Sequence, residues 1–161
     1  MQLEIIQFKK GSGWSANPTS DMDSENTLIL NFFSPEYNNN IEPFQQLRKL
    51  FPKSIIAGCS TSGEIHDNGV YDESISTAIL RFEKSDIEVV TFDITNTSQS
   101  FLICKSIAES VKRDDLKAVF ILSDGLLVNG SSLTQGIRSI LDNDVVITGG
   151  LAGDGSDFKS T

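Results

Sequence analysis

Three short polar segments hold most of the residues able to do chemistry. They are Gly58-Cys59-Ser60-Thr61-Ser62-Gly63-Glu64, Ser123-Asp124-Gly125 with the nearby Asn129-Gly130-Ser131, and Gly149-Gly150-Leu151-Ala152-Gly153-Asp154-Gly155. Each follows a short apolar run. Gly58, Gly125, Gly149 and Gly150 let backbone N–H groups approach a ligand closely. Ser60, Thr61 and Asn129 add neutral hydrogen-bonding groups, and Glu64, Asp124 and Asp154 add carboxylates. Three carboxylates brought together repel one another, and a cationic ligand group relieves that repulsion. A zwitterion suits such a site, its amine meeting the carboxylates and its own carboxylate meeting backbone N–H groups. The pattern therefore points to an amino acid or a related amine. The competing reading makes each segment a plain turn whose Ser and Asp side chains bond their own backbone. The recurrence after three apolar runs favours a shared pocket.

Other chemistries meet specific obstacles. A serine hydrolase needs Gly-x-Ser-x-Gly at a strand-to-helix turn. Here Gly58-Cys59-Ser60-Thr61 continues with Ser62, so a hydrolase built on Ser60 or Cys59 departs from that pattern. Cys59 is expected to pack beneath its loop. The phosphate-binding Gly-x-x-x-x-Gly-Lys-Ser/Thr and dinucleotide Gly-x-Gly-x-x-Gly patterns are absent, and Asp154 would repel a phosphate. Haem needs an axial ligand. His66, the chain's one histidine, is the candidate, although its place just before the turn Asp67-Asn68-Gly69 equally suits an ordinary hairpin residue. One His and two Cys fall short of the four ligands of a structural zinc site.

The 161 residues suggest about one domain. A net charge of −9 opposes binding to nucleic acid or anionic lipid. The N-terminus lacks the pattern of an export signal, and no apolar stretch approaches the length of a membrane span. A cytoplasmic protein with reduced Cys59 and Cys104 is the expectation.

The elements that position these segments follow from periodicity. Leu28–Phe33, Ile55–Ala57, Ala118–Leu122 and Val145–Ile147 read as buried strands of one sheet. Ile41, Phe44, Leu47 and Leu50 recur at helical spacing, with Asn38–Asn40 as capping candidates and Pro52 beyond the end. Cys104, Ile107, Ala108 and Val111 mark a second helix capped by Thr97 or Ser98. Leu133, Ile137, Ile140 and Leu141 mark a third, capped near Asn129. Ser74–Glu83 and Ile87–Ile94 read as an antiparallel pair turning at Lys84-Ser85-Asp86. Residues Lys9 to Asn26 read as a loop with one short helical turn. The expected fold is α/β: a mixed, partly parallel sheet covered by helices, sandwich-like. Ligands of such sheets bind past the carboxyl ends of the strands, where the three polar segments lie.

The order of Leu28–Pro35, Gly58-Cys59-Ser60-Thr61-Ser62-Gly63-Glu64-Ile65, Ser123-Asp124-Gly125 and Gly149-Gly150-Leu151-Ala152-Gly153-Asp154 resembles the N-terminal half of the FIST domain over nearly the whole chain. The resemblance implies an intracellular sensory domain of bacterial type spanning residues 1–161, with a C-terminal FIST half as its neighbour. It implies signalling partners such as a histidine kinase, a chemotaxis receptor or a cyclic-dinucleotide enzyme. It also implies small ligands such as amino acids, with a haem-binding, nitric oxide-sensing role as the alternative. The chain stops soon after Asp154, so a fragment of a longer protein is expected.

Overall fold

The computed structural model describes residues 1–159 and 161. The chain divides into two compact units, Met1–Glu88 with Gly153–Thr161, and Val89–Ala152. Among the described residues, three α-helices and both parallel and antiparallel strands make it an α/β protein with a mixed sheet.

In the first unit the strands are β1 (Gln2–Lys9), β2 (Gly13–Trp14), β3 (Thr27–Phe33), β4 (Ile55–Ser60), β5 (Glu64–His66), β6 (Gly69–Tyr71) and β7 (Ser74–Arg81), with helix α1 (Glu42–Leu50) between β3 and β4. Five of them form a sheet in the order β2-β1-β7-β3-β4. Strands β3 and β4 are parallel, as a strand–helix–strand crossover requires. Strand β7 runs antiparallel to both β1 and β3. Ile6, Ile29 and Ile79 share a buried cluster with Leu47 of α1 and with Phe51. Phe33 meets Phe44 of α1 edge-on, ring centroids 5.0 Å apart. Side chains alternate across a strand, so the neighbouring residues face away from that cluster. Leu3 and Ile5 are more than half exposed there, and Leu28, Leu30 and Leu80 are partly so. Strands β5 and β6 make a separate hairpin around Asp67 and Asn68, with Asp67 at φ 50°.

In the second unit, α2 (Ser100–Val111), β8 (Ala118–Ser123), α3 (Gly130–Arg138) and β9 (Val146–Leu151) follow in turn. Strands β8 and β9 form a parallel two-stranded sheet. Cys104, Ala108, Leu133, Ile137 and Leu141 form its core, with Val119, Ile121 and Ile147 packed against it. Asn129 caps α3 by accepting from the Ser132 N–H at 2.9 Å.

Several expectations need correction. The four apolar strands do not share one sheet: β3 and β4 belong to the five-stranded sheet, β8 and β9 to their own. An apolar run does not determine which strand lies beside it. Ala118–Leu122 is not buried throughout, since Phe120 is 45% exposed on the face away from the helices. The expected pairing of Ser74–Glu83 with Ile87–Ile94 does not form. Strand β7 pairs instead with β1, and residues 87–94 carry no strand. Gly58 and Ser60 lie inside β4, and Gly149 and Gly150 inside β9, rather than in loops. Pairing with Phe33 and Ile121 respectively extends these strands past the end of their apolar runs. Helix α2 is preceded by a 3-10 turn, Thr97–Gln99, which Asn96 caps in place of Thr97 or Ser98. Among the three asparagines before α1, the Asn40 side chain accepts from the Glu42 N–H at 3.3 Å.

Candidate functional site

In the first unit, Glu64 is fully buried. Its carboxylate accepts from the hydroxyls of Thr61 at 2.8 Å, Ser34 at 3.1 Å and Ser74 at 3.1 Å, and from the Ser74 N–H at 3.4 Å. A buried carboxylate is tolerated only when its oxygens are hydrogen-bonded in this way. The bonds tie the segment after β4 to the start of β7 and to Ser34 beyond β3. Ser60 is also buried; its carbonyl accepts from the Gly153 N–H at 3.0 Å, so the Gly153–Gly155 segment runs beside residues 60–62. The Ser60 hydroxyl has no hydrogen-bond partner among the described residues. Asp154 accepts from the backbone N–H groups of Phe158 at 2.9 Å and Lys159 at 2.5 Å, stapling the turn that follows it. Gly58 pairs with Asn31 across β3 and β4.

Two reactive candidates lie in the same unit. Burial pushes the Cys59 thiol above its ordinary value, which keeps it protonated near neutral pH and works against nucleophilic attack. The His66 side chain is 12% exposed, with Nε2 3.7 Å from the Asp67 carboxylate. Its Nδ1 is buried without a hydrogen-bond partner among the described residues.

In the second unit, Asp124 accepts from the N–H groups of Leu126 and Leu127, both from one carboxylate oxygen, so it organises its own turn together with Gly125. Beside that turn lies a cleft of about 270 Å³ between α3 and strands β8 and β9. Ile121 and Ile147 line it from the sheet and Leu133 from α3, while Gly149 and Gly150 contribute backbone. Gly149 is dictated by the strand pairing. It sits at φ +131°, and a Cβ there would lie 2.0 Å from the Ile121 carbonyl oxygen. The polar lining comes from Ser123, Thr134 and Thr148, and charge from Arg138. The Ser123 hydroxyl is buried and has no hydrogen-bond partner among the described residues.

The structure thus brings Thr61 to Glu64 and Ser60 to the residue before Asp154 in one unit. In the other it brings Gly149 and Gly150 to a cleft that Ser123 also lines. Asn129 serves the start of α3. All three candidate carboxylates accept bonds from groups close by in their own unit. Sequence reasoning missed Thr134 and Arg138. The available signal was spacing: Gly130, Thr134 and Arg138 stand four residues apart and so share one helix face.

The cleft runs along β9 from Ile147 to Leu151, beside α3, whereas the usual ligand site of an open α/β domain lies past the strand ends. The FIST N domain model matches residues 27–161, and the chain belongs to that family. FIST domains are small-ligand-sensing domains of signalling proteins. No curated protein and no solved structure matches the chain. No helix among the described residues is long and apolar enough to cross a membrane.

Proposed function

We propose that residues 1–161 form the N-terminal sensory module of a cytoplasmic signalling protein and that the cleft between β9 and α3 receives a small ligand of amino-acid size, an amino acid or a related amine. The observation that carries this reading is the cleft itself. A cleft of about 270 Å³ has the room a small ligand needs. A C-terminal FIST half and an output partner such as a histidine kinase, a chemotaxis receptor or a cyclic-dinucleotide enzyme complete the proposed pathway. A thermal-shift screen of the chain over amino acids, amines and nucleotides tests it, because a ligand that binds only the folded state raises the melting temperature. Amino acids should raise it, and Thr134→Phe, which fills the cleft, should cancel the rise. A rise that survives Thr134→Phe places the ligand elsewhere.

The second reading is haem at His66, supported by the unpartnered Nδ1. The ring is mostly buried in the hairpin, so it does not fit an axial bond as it stands, and the hairpin would have to open. A Soret band on haem addition that disappears in His66→Ala would favour this reading. Hydrolysis by Ser60 or Cys59 is a third, and its test is turnover of simple esters that is lost in Ser60→Ala or Cys59→Ala.

A further inference from the structure

We infer that the outer edge of β9 docks an extended peptide segment of a partner protein, which adds to the sheet as an antiparallel strand and sets a carboxylate on Arg138. The inference rests on backbone groups in the plane of the sheet and does not need the small-ligand reading. Where β9 pairs with β8, the Val146 N–H donates to the Lys117 carbonyl at 2.9 Å and the Ala152 N–H to the Ser123 carbonyl at 2.8 Å. Successive residues of a strand turn their N–H and C=O groups to opposite edges, so Thr148 and Gly150 also face β8. Ile147, Gly149 and Leu151 turn theirs outward. At Gly149 it is the Cα that faces β8, since a Cβ there would lie 2.0 Å from the Ile121 carbonyl oxygen. No strand among the described residues pairs with that outer edge. An open edge is a template for another chain unless a charge, a proline or a covering element protects it. Strand β9 reads Val-Ile-Thr-Gly-Gly-Leu, without charge or proline, and all of it except Ile147 is exposed.

The groove beside this edge selects the kind of segment. Helix α3 runs along β9 in the opposite sense. Its first residue, Gly130, lies by Leu151, where an added Cβ would be 3.9 Å from the Leu151 side chain. Its last residue, Arg138, donates to the carbonyl of Asp142, in the turn that leads into β9, at 2.8 Å. Leu133, Thr134, Ile147 and Leu151 line the cleft between helix and strand, and Arg138 lines it too. A strand added to the edge alternates its side chains, one set entering this cleft and the other facing solvent. Running antiparallel to β9, it ends beside Arg138. A guanidinium carries five N–H donors, and those not given to Asp142 match a carboxylate. In a chain of net charge −9 this cation favours an acidic partner group. The partner is therefore an extended segment with apolar residues at alternate positions and a carboxylate, terminal or side-chain, at its end.

Amide hydrogen exchange and NMR shifts on the intact, isotope-labelled chain test this. In the free protein Ile147, Gly149 and Leu151 should exchange faster than Thr148 and Gly150, which bond to β8. The probe is an acetylated hexapeptide of alternating threonine and valine with a free C-terminal carboxylate. It should shift the amides of β9 and slow exchange at Ile147, Gly149 and Leu151. The same peptide ending in an amide should bind about tenfold more weakly, the effect of losing a hydrogen bond to a charged group. Arg138→Gln should abolish that difference. Two N-methylated versions of the peptide, one at each set of alternate residues, should part: one loses binding and the other keeps it, because an edge strand pairs through one set only. Equal binding of the two versions would overturn the inference, since side chains alone would then hold the peptide. So would an acid-over-amide preference that survives Arg138→Gln, or no shift in β9 with any of the peptides. Slow exchange at Ile147, Gly149 and Leu151 in the free protein would show that the edge is already paired. If that protection grows with protein concentration and sedimentation gives a dimer, a second copy of the chain holds the edge and the inference falls.

Discussion

Removing the Glu64 carboxylate should destabilise the first unit far more than removing a ligand-facing carboxylate would. In Glu64→Ala, the hydroxyls of Thr61, Ser34 and Ser74 and the Ser74 N–H all lose their acceptor in a buried setting. A buried donor left unsatisfied costs about 1–3 kcal/mol. The hydroxyls can rotate toward other acceptors, and losses within one network do not add. A net loss of about 3 kcal/mol is therefore expected, placing the variant among the severe ones. For a chain of this length that corresponds to a fall in melting temperature of about 6–12 °C. Glu64→Gln keeps one acceptor oxygen and the side-chain volume, so its cost should be about half as large. The assay is urea unfolding followed by fluorescence of Trp14, the single tryptophan, which lies in the same unit as Glu64. A loss below about 1 kcal/mol in Glu64→Ala would refute the reasoning, since it would mean the carboxylate is not the acceptor that holds these donors.

Two further outcomes follow from particular contacts. Gly149→Ala should cost more than about 2 kcal/mol, because its Cβ would lie 2.0 Å from the Ile121 carbonyl oxygen and φ is +131°. Gly150→Ala, with nothing within 4 Å of the added Cβ, should change stability by less than about 1 kcal/mol; equal effects in thermal melts would show that β9 is not paired with β8 in this register. Burial raises the thiols of Cys59 and Cys104 above their ordinary value of 9.0. The folded state then holds those protons to higher pH than the unfolded chain does. Their stabilising contribution is complete below pH 9.0 and is lost as pH rises through the raised folded-state values. Urea midpoints between pH 8 and pH 11 should therefore fall less steeply in Cys59→Ala/Cys104→Ala than in the parent, and parallel slopes would contradict the burial of these thiols.

Local pattern alone located much of the molecule. The stripe Phe44, Leu47, Leu50 marked α1, the run Ala118–Leu122 marked β8, Asp67-Asn68-Gly69 marked the hairpin turn, and Asn129 marked the start of α3. Each depends on residues within one element or one turn, where side-chain period and capping chemistry act at short range. The family was legible for a similar reason, its motifs being contiguous stretches of chain. Partner choice was not. Strand β7 pairs with β1 and β3, and the Glu64 carboxylate finds Ser34 thirty positions away. Hydrogen-bond donors and acceptors on every strand edge are chemically alike, so sequence leaves their pairing open until the chain packs. The same limit hid the polarity of the cleft. Glu64, Asp124 and Asp154 looked like ligand groups because carboxylates stand out in a sequence. The N–H and O–H groups that occupy them became visible only when the backbone turned back on itself. Arg138 reaches the cleft because α3 lies along β9, a placement set by packing of Leu133 and Ile137 into the core rather than by any pattern around the arginine.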